Sequence, residues 1–333
     1  MNSDKPTYHI TRRRFCVRTV QTAAAVCTGV STAAGSDKTA AGSDKTAAGP
    51  AAQTPGFIDV HTHFGQAWNT RGALTAEMLL RWMDAHGIAR AVVLPLVSPE
   101  AWFYPITTEY VLRQTKPFRD RLIPFCAIDP RSGHLDHKGK IDLLKRYVDA
   151  GARGFGEHKV GIPVDDPRNI ALYRAVAEMK LPLIFHLDNI RNTDRPGLPG
   201  LEKVLKAVPE GVFIGHGPGW WASISGQVTQ AELGGYPRGQ VAPGGAIDRL
   251  MEKYPNIHGE LSAGSGANSI QRDLAFGREF LIRRQDRILF GTDYLAKGQG
   301  VPQFDLFNKT LKLPEKVQAN IFRDNARRLL RIE

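Results

Sequence analysis

Phe57-Ile58-Asp59-Val60-His61-Thr62-His63 is the stretch whose reading decides the fold. An apolar run leads into two histidines two positions apart, and on an extended strand both imidazoles project to the same side. The local context recurs further along the chain. Leu183-Ile184-Phe185 closes on His186, Val212-Phe213-Ile214-Gly215 on His216, and Ile288-Leu289-Phe290-Gly291-Thr292 on Asp293. Neutral imidazole nitrogen and carboxylate oxygen are the donors of a divalent-metal site, and strand ends can bring distant positions together.

Working outward from this stretch, eight short apolar runs alternate with helix-like segments. The runs are Phe57–His61, Ala91–Pro95, Leu122–Ala127, Arg153–His158, Pro182–His186, Val212–His216, Ile257–Leu261 and Ile288–Asp293. Helical patterns fall between them at Thr75–His86, Ile141–Ala150, Ile170–Met179 and Leu201–Ala207, with Gly87 and Gly151 at helix stops. Repeated β-α alternation implies a parallel sheet, and eight units close into a (β/α)8 TIM barrel, a single α/β domain. The competing fold, a doubly wound open sheet, would usually carry a Gly-rich nucleotide fingerprint after its first strand. This first strand ends in His-Thr-His instead. In a barrel the active end lies at the carboxyl ends of the strands, where these His and Asp residues fall.

The chain has 333 residues and 42% hydrophobic composition, enough for one large core. Its first fifty or so residues do not belong to that core. Thr11-Arg12-Arg13-Arg14-Phe15 precedes a weakly apolar stretch, Val20 to Val30, in the form of a twin-arginine export signal. The stretch is too short to span a bilayer, so no stable membrane anchor is expected. Residues 33–39 repeat as 40–46 without a large apolar side chain, the composition of a flexible linker. The expected division is a signal peptide over residues 1–34, a repeat linker over 35–55 and the barrel over 56–333. Export would place the mature protein in the periplasm or outside the cell.

The formal net charge is +11, and removing residues 1–49, with seven Lys/Arg and three Asp/Glu, leaves +7. Such an excess suits an anionic small-molecule substrate, a carboxylate for example. Nucleic acid is not an expected partner, because the basic residues are dispersed and no helix-turn-helix, zinc-finger or RNA-binding motif is present. Cys126 is the only cysteine beyond the linker, so no intrachain disulfide framework is expected there.

His61-x-His63 on strand one, His186 on strand five, His216 on strand six and Asp293 in Gly291-Thr292-Asp293 together resemble the amidohydrolase superfamily, in its amidohydrolase-related group. The resemblance runs from Phe57 to the C-terminus. It implies that His61, His63, His186 and Asp293 hold one metal in a mononuclear form, leaving His216 as acid/base or carbonyl-polarising group. In a binuclear form, His186 and His216 hold a second metal, and a strand-four carboxylate or carbamylated lysine bridges the two. The ion would be Zn²⁺ foremost, or Mn²⁺. Barrels of this group often pair, so the resemblance also admits a homodimer.

Strand four, Gly154-Phe155-Gly156-Glu157-His158-Lys159, leaves the bridge open. Glu157 is the candidate bridging carboxylate. Lys159 is either a carbamylated bridge or a substrate-binding cation. A plain ion pair of Glu157 with Lys159 or Arg153 is the alternative. The chemistry expected is hydrolysis of a C–N or C–O bond in an amide, ester or lactone, by hydroxide generated at the metal. Asp293 would accept the water proton, and His216 would stabilise the oxyanion or protonate the leaving group. A decarboxylase of the same superfamily keeps the site and changes the reaction. A non-catalytic module stabilised by metal is the remaining class.

Beyond the donors, the loop after His216 carries Trp220 and Trp221, as a pocket wall or as pins for the loop. Tyr236, Pro237 and Arg238 stand further along the same Gly/Pro-rich connection. Arg191, after strand five, is a candidate to hold a substrate carboxylate, with a solvated surface role as the alternative. Glu260 on strand seven is read either as orienting a ligand histidine or as an ordinary paired carboxylate. His158 has the opposite parity to Glu157 and is expected to face away from the site.

Overall fold

The computed structural model describes residues 56–67, 72–101, 104–133 and 135–332. The signal and linker readings for residues 1–34 and 35–55 lie outside these residues. The strands are β1 Phe57–Thr62, β2 Ile88–Val93, β3 Leu122–Pro124, β4 Phe155–His158, β5 Pro182–His186, β6 Val212–His216, β7 Ile257–Glu260 and β8 Ile288–Leu289. Each falls within or overlaps an apolar run of the sequence. The five helices that follow the first five strands in turn are α1 Ala76–Ala85, α2 Thr108–Thr115, α3 His137–Asp149, α4 Pro167–Glu178 and α5 Pro199–Ala207. After β6 come α6 Pro218–Ala222 and α7 Ala246–Lys253, and after β7 come α8 Ala263–Gln271 and α9 Leu274–Arg283. After β8 come α10 Pro302–Asp305, α11 Glu315–Ala319 and α12 Asn325–Leu330.

All strand pairs are parallel, in the orders β1-β2-β3 and β4-β5-β6-β7-β8. Two seams join these sheets into a closed (β/α)8 barrel. The Cys126 N–H donates to Gly154 O at 3.0 Å and the Gly156 N–H to Cys126 O at 2.8 Å, tying β3 to β4. At the other seam Val60 N–H donates to Phe290 O at 3.0 Å and Asp293 N–H to His61 O at 2.8 Å. Closure leaves no sheet edge, the liability of an open sheet. No described helix is long and apolar enough to cross a membrane.

The interior packs Ile58, Val60, Val92, Ile123, Ile184, Ile214 and Leu289 against Ala326 and Leu330 of α12. Side chains from strands all round the barrel meet in this cluster, so Ile58 and Val60 point inward. Strict alternation would then turn His61 and His63 outward. A bulge prevents this. Asp59 pairs with Ala91 and Thr62 with Val93, so three steps along β1 face two along β2. The extra residue flips the alternation and brings both imidazoles inside. Strand β4 repeats the device: Phe155 pairs with Leu183 and His158 with Phe185, again three steps against two. Phe155 packs outward on the helix layer, while Glu157 turns into the barrel.

At Gly215 the backbone of β6 passes so close to α6 that an added Cβ would lie 2.4 Å from the Trp220 ring. Gly215→Ala is expected to destabilise the fold by about 1–3 kcal/mol through overpacking, read as a lower urea midpoint with an unchanged slope.

Two buried histidines stand outside the candidate site. His158 faces α4, where Asn169 Oδ1 lies 2.9 Å from its Nε2. Burial pushes its pKa down to about 4 against the lesser upward pull of Asn169. At His258, burial with Arg287 and Arg328 nearby pushes it down to about 3. Between the unfolded value of about 6.5 and these folded values the unfolded chain binds more protons. The stability from each neutral imidazole is therefore complete above about pH 6.5 and lost as pH falls through the folded value. Acidification from pH 7 to 4.5 should remove about 2–3 kcal/mol per histidine as an upper bound. His158→Gln should flatten the fall in melting temperature over that range, and an unchanged slope would contradict the assignment.

Candidate metal centre

Asp59, fully buried, ties two of the donor segments together. Its Oδ1 accepts the N–H of His61 at 3.0 Å and of Thr292 at 3.1 Å, and its Oδ2 accepts the Thr292 hydroxyl. One buried carboxylate thereby clamps the His-x-His segment of β1 to the Gly-Thr-Asp segment after β8. Asp293 follows at φ +56°, a left-handed conformation that Asp adopts more readily than most residues. Gly291 is obligatory for space: an added Cβ would lie 2.4 Å from Glu260 Oε2.

Each of the four histidines has one ring nitrogen committed to an acceptor. His61 Nδ1 donates to Glu260 Oε1 at 3.0 Å and His63 Nδ1 to the Leu94 carbonyl at 2.9 Å. His186 Nε2 donates to Asp188 Oδ2 at 2.9 Å, and His216 Nδ1 meets Glu260 Oε1. Carbonyl and carboxylate oxygens only accept here, so those nitrogens carry protons, which sets the tautomers of His61, His63 and His216. His186 instead meets a carboxylate on both sides, its Nδ1 lying 2.9 Å from Glu157 Oε1. The opposite nitrogens converge on one another and on two carboxylates. His61 Nε2 and His63 Nε2 are 3.2 Å apart. Asp293 Oδ1 lies 3.6 and 3.5 Å from them, and Glu157 Oε2 3.7 and 3.5 Å.

The second oxygen of Glu157 faces a different set. Oε1 lies 2.9 Å from His186 Nδ1, 3.7 Å from His216 Nε2 and 3.3 Å from Lys159 Nζ. Oε2 is buried and has no hydrogen-bond partner among the described residues. Donors about 2.1 Å from a tetrahedral ion stand roughly 3.4 Å apart. The first set matches that spacing, and an orphaned buried carboxylate oxygen among imidazole lone pairs is the environment a cation satisfies. The residues therefore fit a divalent metal. Among the described residues, close-donor clusters form from His61, His63 and Glu157, from His61, His216 and Asp293, and from Glu157, His186 and His216.

The protein's own charges are consistent with this arrangement. Desolvation opposes a charged carboxylate at Glu157, but Lys159 and the histidines around it hold its pKa well below the usual carboxylate range. At Asp293 desolvation is likewise outweighed by His63, His61 and His216, and its pKa is lowered. His216 is shifted down by burial and by the neighbouring His61, against Glu260. Glu157 and Asp293 are thus ionised and His216 is neutral at neutral pH, the forms that ligate metal. At His61 and His63 desolvation is outweighed by Glu260, Glu157 and Asp293, which raise their pKa values, so a bound cation would displace a proton there.

Among these donors Asp293 has the most open side chain, about 19% exposed against 1% for Glu157. Above it opens a cavity of about 220 Å³, lined by residues that include His63, Lys159, Tyr236, Asp293 and Gln299. Gln299 was not legible as a site residue. It accepts the Leu295 N–H at 3.0 Å and donates to Asp293 O at 2.7 Å, fixing the turn that carries the carboxylate. Asp188 and Ser262 were also missed as tethers of the site. A larger depression, about 560 Å³, opens at the opposite end of the barrel, and no candidate donor lines it.

Two expectations are corrected. Trp220 and Trp221 do not face the cavity: both are buried in the core, Trp220 against Phe185 and Trp221 donating Nε1–H to Glu260 O at 2.9 Å. Their large apolar rings fill the layer behind β6 and β7, where burial outweighs contact with a solvated ligand. Arg191 is also committed elsewhere. Its Nη1 donates to Asp188 Oδ2 at 2.8 Å and its Nε to Glu100 O at 2.7 Å, so it steadies the carboxylate behind His186. Among the expected substrate contacts, the structure puts Lys159 in the cavity wall.

A closed parallel barrel with this convergence of His and carboxylate donors at its strand ends is the architecture of the amidohydrolases. The chain belongs to the amidohydrolase family, whose model matches residues 58–332. Enzymes of this family bind a divalent metal. No curated protein compared with the chain matches it. Among solved structures, the chain is similar to an uncharacterised TIM-barrel protein from Bordetella bronchiseptica. The two share 16% identity over 83% of this chain and 98% of that one, at a TM-score of 0.59. A putative 2-pyrone-4,6-dicarboxylic acid hydrolase from Pseudomonas putida shares 16% identity over 84% and 98%, with a TM-score of 0.55. A dihydroxybenzoic acid decarboxylase from Polaromonas, with bound manganese and the inhibitor 2-nitroresorcinol, shares 16% identity over 83% and 97%, with a TM-score of 0.51. At these identities the likeness concerns the fold.

Proposed function

We propose that the chain is a binuclear metal-dependent hydrolase that cleaves a C–N or C–O bond in a small, carboxylate-bearing amide, ester or lactone. The observation that carries this reading is Glu157, whose two oxygens face two different histidine sets. His61, His63, Asp293 and Glu157 Oε2 would hold one ion, and Glu157 Oε1, His186 and His216 the other, with Zn²⁺ or Mn²⁺ suited to both. Such ions lower the pKa of water towards 7 and polarise a carbonyl. His216 is in this reading a ligand, not a free acid.

The side chains then divide the remaining work. Asp293, ionised and open to the cavity, accepts the proton of the attacking water and can return it to the leaving group. Glu260, Asp188 and the Leu94 carbonyl hold the imidazoles in their ligating tautomers. Lys159 offers its ammonium to a substrate carboxylate from the cavity wall. The cavity volume of about 220 Å³ supports a substrate of small-metabolite size. Asp293→Asn should cut turnover by about 10²–10⁴-fold; full turnover with metal bound would remove the proposed role.

Lys159 also supports the second reading, decarboxylation, because a cation beside the metal donors would hold the departing carboxylate. The two similar enzymes above are named for a dicarboxylic acid and a benzoic acid, so an acid substrate is common to both readings. Turnover in ¹⁸O-water separates them. Label in the product marks hydrolysis, and carbon dioxide released without label in the organic product marks the lyase.

Export is part of the same proposal and rests on Arg12-Arg13 ahead of Phe15. Replacing both arginines by lysine should leave the protein in the cytoplasmic fraction. Undiminished export of that variant would contradict a twin-arginine route.

A further inference from the structure

A second polar cavity, about 160 Å³, lies between the long β6–α7 connection and the end of α8. Its walls include Ser225, Glu232, Arg238, Gln240 and Arg272, but none of the metal donors. Arg272 is the unusual member. Its Nε and Nη2 are both buried and have no hydrogen-bond partner among the described residues. These two N–H groups form the side-on edge of the guanidinium, the fork that takes two oxygens of a phosphate or carboxylate. A buried charged donor without an acceptor is a substantial free-energy penalty, and native structures rarely leave one.

The surroundings do not neutralise it. Glu232, the carboxylate in the wall, accepts from Thr229 N and Oγ1 at 2.8 and 2.9 Å, and no described ion pair joins it to Arg272 or Arg238. Burial pushes the Arg272 guanidinium down from its ordinary value, against the opposing charges of Glu232 and Asp273. Arg238 adds a second guanidinium to the wall and likewise has no ion-pair partner among the described residues. Ser225 Oγ accepts the Ala242 N–H at 3.1 Å, which leaves its own proton to donate. Water could occupy the donors, but it would leave two guanidinium groups on one small cavity with neither of them ion-paired to the single carboxylate in its wall, Glu232.

We propose that this cavity binds a small oxyanion of phosphate or carboxylate type, seated on the Nε–Nη2 edge of Arg272 and closed by Arg238. The site is independent of the reaction assigned to the metal centre, yet it adjoins it along the chain. Arg238 follows two residues after Tyr236, which lines the cavity above Asp293. An anion held between Arg238 and Arg272 ties that segment to the end of α8 and so steadies the Tyr236 wall.

The test is calorimetric titration of the full chain with inorganic phosphate and, separately, with acetate. It is run beside Arg272→Gln, Arg238→Gln and a metal-centre control, His63→Ala. The expected result is one anion-binding event in the wild type and in His63→Ala, abolished in Arg272→Gln and weakened about 10-fold or more in Arg238→Gln. The preferred anion identifies the oxyanion type. Hydrogen exchange should slow in peptides covering residues 225–241 when the anion is present. No binding of either anion, or an event lost in His63→Ala but kept in Arg272→Gln, would overturn the proposal and leave a water-filled cavity. Should Arg272→Gln fail to fold, the exposed Arg238→Gln variant decides: unchanged affinity and unchanged exchange overturn it.

Discussion

Glu157→Gln is expected to lower the metal content from two ions per chain to one or none and to reduce turnover by at least about 100-fold. The carboxylate places a negative oxygen towards each histidine set: Oε2 towards His61 and His63, Oε1 towards His186 and His216. A carboxamide has the same shape but one oxygen, so its NH₂ would point at one of the two histidine sets, where it offers a metal no ligand atom, or at Lys159 as donor against donor. The substitution removes one charge and half of the acceptor capacity without changing the volume. Elemental analysis of the purified chain, with turnover measured in parallel, checks it. Two ions retained with near-normal turnover would show that Glu157 is an ion-pair partner of Lys159 and not a bridge. One ion in the wild type, unchanged by the substitution, would favour the mononuclear arrangement with His216 free to act on the substrate.

Glu260→Ala should have the largest combined effect on stability and metal affinity. Glu260 is fully buried, and its Oε1 receives His61 Nδ1 at 3.0 Å, the Ser262 hydroxyl at 2.8 Å and His216 Nδ1. Its Oε2 receives the Ser262 N–H at 2.8 Å. Although desolvation works against its charge, His216 and His61 keep its pKa well below the usual range. Its contribution is therefore present above the unfolded carboxylate value and lost only as pH falls through the lower folded one. Alanine leaves several buried donors unanswered and releases two imidazoles from their ligating tautomers. Metal affinity should fall by about 10–100-fold, and unfolding free energy in chelator by about 3–5 kcal/mol. The chelator measurement isolates the protein's own contacts. A normal stability there, with affinity also unchanged, would show that Glu260 is an ordinary interior carboxylate.

The donors were legible one by one because each closes a short apolar run, and period-two strands make such endings visible in sequence. Glu260 was legible as a candidate to orient a ligand histidine, but not which histidines it holds, since its partner His61 is 199 positions away. Trp220 and Trp221 were misplaced for the same reason. A Gly/Pro-rich segment near a site looks like a wall, yet the space beside Gly215 can be filled only when the β6 backbone is known to pass there. Arg191 resembled a substrate clamp because its commitments to Glu100 O and Asp188 depend on where two loops meet.

The sequence by itself determined the barrel: eight apolar runs with helices between them leave a closed parallel sheet as the way to bury both faces of every strand. It also determined which residue types stand at the strand ends. Tertiary structure decided which way they point. The bulges in β1 and β4 turn His61, His63 and Glu157 inward against the simple alternation of their strands. A bulge is a mismatch between two strands, so neither strand's sequence contains it alone. The same holds for the division of Glu157 between two sets of imidazoles, which exists only when β1, β5, β6 and β8 close around β4.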